Sequence, residues 1–185
     1  MHKLRRSILI MAVVLSLAAT ATVLADSVKY RTKLSGDEEV PPVGVVIDTH
    51  AKGKADFKLS KDGTELRYKL NVSKIDNVFM AHIHMAPMGV NGPIVVWLFP
   101  STTPTPGPQG AGRFDGKIAE GTITAANLVG PLAGQPLSAL LDAIEAGNAY
   151  VNVHTNDGVA PTNTGPGDFP GGEIRGQLSP HGHDD

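Results

Sequence analysis

The sequence predicts an all-β fold, a sandwich or barrel carrying one short helix, and three observations predict it. Gly and Pro recur 21 and 14 times in 185 residues, enough to punctuate many short segments with turns. Several of those segments alternate apolar and polar residues with period two. Only one stretch keeps helical spacing. Residues 28–34 alternate. In residues 52–59, Ala55, Phe57 and Leu59 share one side, and Asp62-Gly63 turns the chain into residues 65–72, where Leu66, Tyr68 and Leu70 alternate with charge. These strands form an antiparallel meander. Residues 77–85 are extended, 87–93 turn, and 94–99 are apolar throughout, which implies burial on both faces. Residues 101–112, rich in Pro, Thr and Gly, form a long loop, and 116–123 resume extended structure. From 136 to 146, Leu137, Leu140, Leu141 and Ile144 recur at helical spacing, with Pro136 suited to the first turn and Gly147 to the C-terminal cap. This helix is expected over an end of the barrel. Strands at 149–155 and 172–178, separated by a loop over 156–170, complete the chain.

The ends of the chain bound its compartment. Lys3, Arg5 and Arg6 precede an apolar run over 8–17, and Val23-Leu24-Ala25 follows, so residues 1–25 have the form of a secretory signal peptide. The apolar run is too short for a membrane span. The expectation is an exported domain over 26–180, periplasmic or secreted, followed by a mobile tail over 181–185 that ends in His and Asp residues. With no cysteine in the chain, neither a disulfide nor a thiolate metal site contributes. Of the 16 Lys and Arg, three leave with the signal peptide; against 18 Asp and Glu the remainder carries a net charge of −5. That balance argues against nucleic acid or an anionic membrane as partner. Metal ions, small anions and other proteins, a second copy included, remain.

Three histidines carry the chemistry. In Phe79-Met80-Ala81-His82-Ile83-His84, period two sets His82 and His84 on one face and Phe79, Ala81 and Ile83 on the other, the core face. In Tyr150-Val151-Asn152-Val153-His154 the same parity turns His154 outward with Tyr150 and Asn152. All three are therefore expected on solvent-side faces. Imidazoles two residues apart on a strand are close enough to share one ion, and a third from a neighbouring strand would complete an open three-nitrogen site. Copper is the first choice and zinc the second, because imidazole suits both and divalent copper binds more tightly. The bland alternative is a solvated His-x-His face. A fourth ligand could come from Met80, Met85, Met88, His50 or water. Arg175 opposes Ile174 on the last strand and so faces outward near His154, either paired with Glu173 or Asp168 or guiding an anion.

The segments Leu34-Ser35-Gly36-Asp37-Glu38-Glu39-Val40-Pro41-Pro42, His82-Ile83-His84 with Gly92-Pro93-Ile94-Val95, Tyr150-Val151-Asn152-Val153-His154-Thr155 and Gly172-Glu173-Ile174-Arg175-Gly176-Gln177-Leu178 resemble the CHRD (chordin-domain) family over most of the chain. That resemblance implies an immunoglobulin-like or Greek-key β-barrel. The order of strands around the His-x-His motif and the late Val-x-His strand is also similar to the copper/zinc superoxide dismutase barrel, which implies copper ligation by His82, His84 and His154. No histidine lies between His84 and His154, so the bridging ligand and zinc loop of that second family are missing. The leading expectation is a copper-binding redox protein able to dismutate superoxide, with Arg175 attracting the anion. The alternatives are an extracellular interaction module working through loops 101–112 or 156–170, and a copper storage or delivery protein.

Overall fold

Alternation of apolar and charged residues is what makes the first strands one-sided. In the computed structural model, which describes residues 28–179, β1 (Lys29–Ser35) buries Tyr30, Thr32 and Leu34 and leaves Lys29 and Lys33 exposed. β2 (Lys52–Leu59) buries Ala55 and Phe57, and β3 (Leu66–Asp76) buries Leu66, Tyr68, Leu70 and Val72. The turn joining them is tied by Asp62, whose Oδ1 accepts the Ser60 hydroxyl at 2.6 Å and the Thr64 amide at 3.1 Å, while Gly63 supplies a φ of +73°. The expected signal peptide and the tail over 181–185 lie outside the described residues.

The remaining strands are β4 (Val78–His84), β5 (Ile94–Phe99), β6 (Arg113–Ile123), β7 (Tyr150–Thr155) and β8 (Ile174–Gln177). All neighbours pair antiparallel, in the order β5-β4-β7-β8-β1-β2-β3-β6. β5 and β6, the two ends of that order, lie against each other and nearly close a Greek-key barrel. The seam is held by segment 124–132 rather than by a full ladder: Val129 N–H donates to Val95 O at 2.9 Å, and Leu128 bridges to Val96. The Tyr68 hydroxyl, reaching across from β3, donates to Leu98 O at 2.7 Å.

The helix α1 (Leu137–Glu145) packs Leu137, Leu140 and Ile144 into the core. Pro136 occupies the N-cap, one residue before the expected first turn, and Gly147 follows the helix at φ +71°. Tyr30 on β1 donates its hydroxyl to Glu145 Oε1 at 3.1 Å, fixing the helix to the barrel.

Two departures from the sequence reading concern the strands that carry the histidines and their neighbour β5. β5, expected to be buried on both faces, leaves Ile94, Trp97 and Phe99 half-buried, whereas β7 is buried at all six residues. The second difference is a register irregularity between Val78 and Met80. It puts Val78 into the core cluster; Phe79 is buried but outside that cluster. A bulge adds a residue to one strand and so flips the parity on one side of it, which period two alone does not show.

Candidate metal centre

The pairing of β4 with β7 assembles the site. Met80 lies opposite His154, His82 opposite Asn152 and His84 opposite Tyr150, so the even-numbered side chains of both strands share the outer barrel face. His154 is diagonal to His82. His82 Nδ1 lies 3.1 Å from His154 Nε2, and the three imidazoles each offer a nitrogen within 4.8 Å of the others. Two nitrogens bound to one ion at about 2 Å lie about 3 Å apart, so the first pair already has the spacing of shared ligation.

The face is outward, as expected, but it is not open. His82 is 0 % exposed, His84 8 % and His154 5 %, which corrects the solvent-side reading. Loop 85–93, loop 156–173 and the segment at Glu39 cover this half of the barrel. Period two reports which side of a strand a residue occupies and says nothing about a loop folded over it.

The covering loops also set which nitrogen each ring presents. His84 Nδ1 donates to the Gly92 carbonyl at 2.9 Å and His154 Nδ1 to the Pro170 carbonyl at 3.0 Å. Each ring is thereby held in the tautomer with a bare Nε2, the arrangement a metal requires. Among the described residues, His84 Nε2 and His82 Nε2 are buried and have no hydrogen-bond partner. At His84, where Nδ1 carries the proton, this leaves a bare lone pair, which is costly inside a protein unless a cation occupies it. Burial lowers the pKa of all three: His82 to about 2, with the neighbouring histidines adding to the effect, and His154 to about 3. His84 is lowered by burial and further by Arg175, against its bond to Gly92. The donors are therefore neutral imidazoles, and a single imidazole-binding metal ion fits them.

Aromatic rings brace the cluster. Trp97 on β5 lies opposite His82 and meets its ring edge-on at 4.2 Å between centroids. Tyr150 stacks on His84 at 4.9 Å with only 10° between planes, and its hydroxyl accepts the Gly92 amide at 3.1 Å. Because β7 runs between β4 and β8, the same ring is also reached by Arg175, whose Cζ sits 3.5 Å from its centroid. Arg175 is 2 % exposed. Its guanidinium donates to Val90 O at 2.9 Å, Asn91 Oδ1 at 3.2 Å and Pro87 O at 3.4 Å. Asn91 in turn donates to Val40 O at 2.8 Å, linking the two loops.

The acids expected beside Arg175 have other partners. Glu173, fully buried, accepts the hydroxyls of Thr49 and Thr155 at 2.6 Å each and the Gly167 amide at 2.8 Å. Asp168 accepts the amide and hydroxyl of Thr164. Together they shape the loop that delivers Pro170 to His154. The carboxyl nearest Arg175 in charge is Glu39: burial pushes it up to about 8 although Arg175 and the Asn152 amide pull it down. Among the described residues, its Oε1 and Asn152 Oδ1 are both buried without partners.

Among the other candidate ligands, His50 is exposed and outside the cluster. Met88 is 62 % exposed and Met85 packs on the core. Met80 is half-buried, directly opposite His154. The sequence gives no site role to Trp97, Glu39, Gly92 or Pro170, although Glu39 and Gly92 stand in two of the motifs shared with the family. The first needed the β4–β5 register, and the carbonyls belong to loops without a periodic signal. Tyr150 shares the parity of His154 and opens the same motif, and both hint at its place in the site.

The family model for the CHRD domain matches residues 30–178, from β1 to just past β8. No curated protein and no solved structure matches the chain.

Proposed function

Since the chain belongs to the CHRD-domain family, we propose that it is an exported member that holds one copper ion on His82, His84 and His154. The observation that carries this reading is the convergence of three neutral imidazoles within 4.8 Å, with two Nδ1 atoms already committed to backbone carbonyls. The chain has no thiolate to select another chemistry, and copper stands at the top of the first-row divalent affinity order for nitrogen ligands, with zinc, which imidazole also suits, as second choice. Copper bound there would supply a redox-active centre with a coordination position not filled by the three rings. The chain's own residues orient the rings, exclude water and keep the nitrogens unprotonated.

Burial favours keeping the ion over turning substrate over. All three histidines lie beneath loops, and the Arg175 guanidinium is engaged with Tyr150 and three loop oxygens. Storage or delivery of copper in an oxidising compartment is therefore the reading adopted, ahead of superoxide dismutation. Metal analysis and electron paramagnetic resonance of protein taken from its native compartment test it. One equivalent of copper with nitrogen hyperfine structure, lost in His154→Ala, is expected. Zinc alone, or copper retained by that variant, would overturn it. Superoxide disproportionation faster than that of free copper and abolished in His154→Ala would reinstate the redox reading.

A further inference from the structure

The half of the barrel remote from the histidines carries a charge pattern that folding does not explain. β1, β2, β3 and β6 expose their outer face, and pairing sorts its side chains into rows. One row runs Lys29, Lys58, Arg67, Thr122, and another runs Arg31, Asp56, Lys69, Glu120. The second alternates in sign and neutralises itself: Asp56 lies 4.0 Å from Arg31 and 3.1 Å from Lys54, and Glu120 lies 2.6 Å from Lys117. The first holds three cations and no acid. Like charges directly opposite on neighbouring strands destabilise a sheet. Among the described residues, Arg67 alone of the three makes an ion pair, with Glu65 at 3.5 Å, where its own side chain is 72 % exposed.

Between the two rows runs a trough of about 600 Å³. The residues between the rows, Tyr30, Phe57, Tyr68 and Gly121, turn inward: the three rings are 1 %, 2 % and 5 % exposed, and a Cβ on Gly121 would meet the Tyr68 ring. The trough floor is thus backbone, with cations along one wall. Strands lie about 4.8 Å apart, so Lys29, Lys58 and Arg67 span about 10 Å at regular intervals. The volume falls in the range of ligand sites, and the local excess of five cations over two acids stands against an acidic chain.

We propose that this trough binds an acidic oligosaccharide, whose carboxylates or sulfates lie along the row Lys29, Lys58, Arg67. A pyranose ring is about as long as one strand spacing, so successive anionic sugars meet successive strands. Single-stranded nucleic acid is disfavoured because the trough's own aromatic rings face the core, leaving no platform for base stacking. The site is independent of the copper reading.

The test is calorimetric titration of the chain from residue 26 with size-defined oligogalacturonate and with a sulfated dextran oligomer, at low and at physiological salt, with neutral dextran and poly-dT for comparison. Binding of an acidic glycan that weakens with salt is expected, with roughly tenfold or greater loss in Lys29→Ala/Lys58→Ala/Arg67→Ala. That variant should melt no earlier than the parent, since it removes mutual repulsion. Lys58→Ala alone should weaken binding more than Arg113→Ala, which removes an equal charge at the far end of β6. Failure of both glycans to bind the parent, equal losses in the two single variants, or poly-dT binding as tightly as the glycans would each overturn the proposal.

Discussion

Acid should release copper from this protein far more reluctantly than from an ordinary trio of histidines. A metal competes with protons for imidazole nitrogen, and at pH 5 an imidazole of normal pKa, about 6.5, is protonated roughly thirty to one. Three such ligands would lose a factor of roughly 3 × 10⁴ in apparent affinity between neutral pH and pH 5. Here burial holds His82 at about 2 and His154 at about 3, so neither takes up appreciable proton at pH 5. His84 is lowered as well. Only His84 is left to compete for protons there, so the expected loss over that interval stays below roughly thirtyfold. Copper titrations at pH 7.5, 6 and 5 against a chelator whose own protonation is corrected for would measure it. A thousandfold loss by pH 5 would refute the reasoning, because it would mean that the rings are reached by protons, and so by water, in solution.

The same groups shape the stability of the metal-free protein. The depressed histidines make unfolding take up protons, so stability falls as pH drops below about 6.5, whereas Glu39, raised to about 8, makes it fall as pH rises from about 4.5 to 8. Chemical denaturation should show a maximum near pH 6.5, with about 1–3 kcal/mol lost by pH 5; a flat profile would contradict the burial of these rings. Gly92→Ala should cost about 1–3 kcal/mol, as its Cβ would strike the Met85 carbonyl, and should weaken copper binding with it because the Gly92 carbonyl orients His84. Arg175→Lys should cost about 2 kcal/mol in thermal or urea unfolding, since an ammonium cannot both stack on Tyr150 and reach the three loop oxygens. Proteolysis of loop 85–93 should rise in the same variant.

The barrel was legible because its strands announce themselves locally. β2 and β5 begin and end where alternation and turn residues place them, and α1 follows from four leucines and isoleucines at helical spacing. The histidines were legible for the same reason: parity put His82, His84 and His154 on one face, and β4–β7 pairing brought them together. What parity cannot carry is the third dimension of the cover. The burial of the site depends on loops whose shape is fixed by polar contacts such as Glu173 with Thr49, 124 residues away in sequence. Arg175 illustrates the limit. Its outward direction was readable, but its partners, three oxygens of loop 85–93, are 84 to 88 residues distant.

The seam between β5 and β6 has a consequence for how an ion could come and go. β5 is the stave beside the joint that has no ladder of its own, held instead by Val129, Leu128 and Tyr68. Trp97 rides on β5 and leans edge-on against His82. Any outward swing of that stave withdraws the indole from the imidazole while the β4–β7 joint, which carries all three histidines, stays fastened. A path to the buried nitrogens through that wall would leave the covering loops in place.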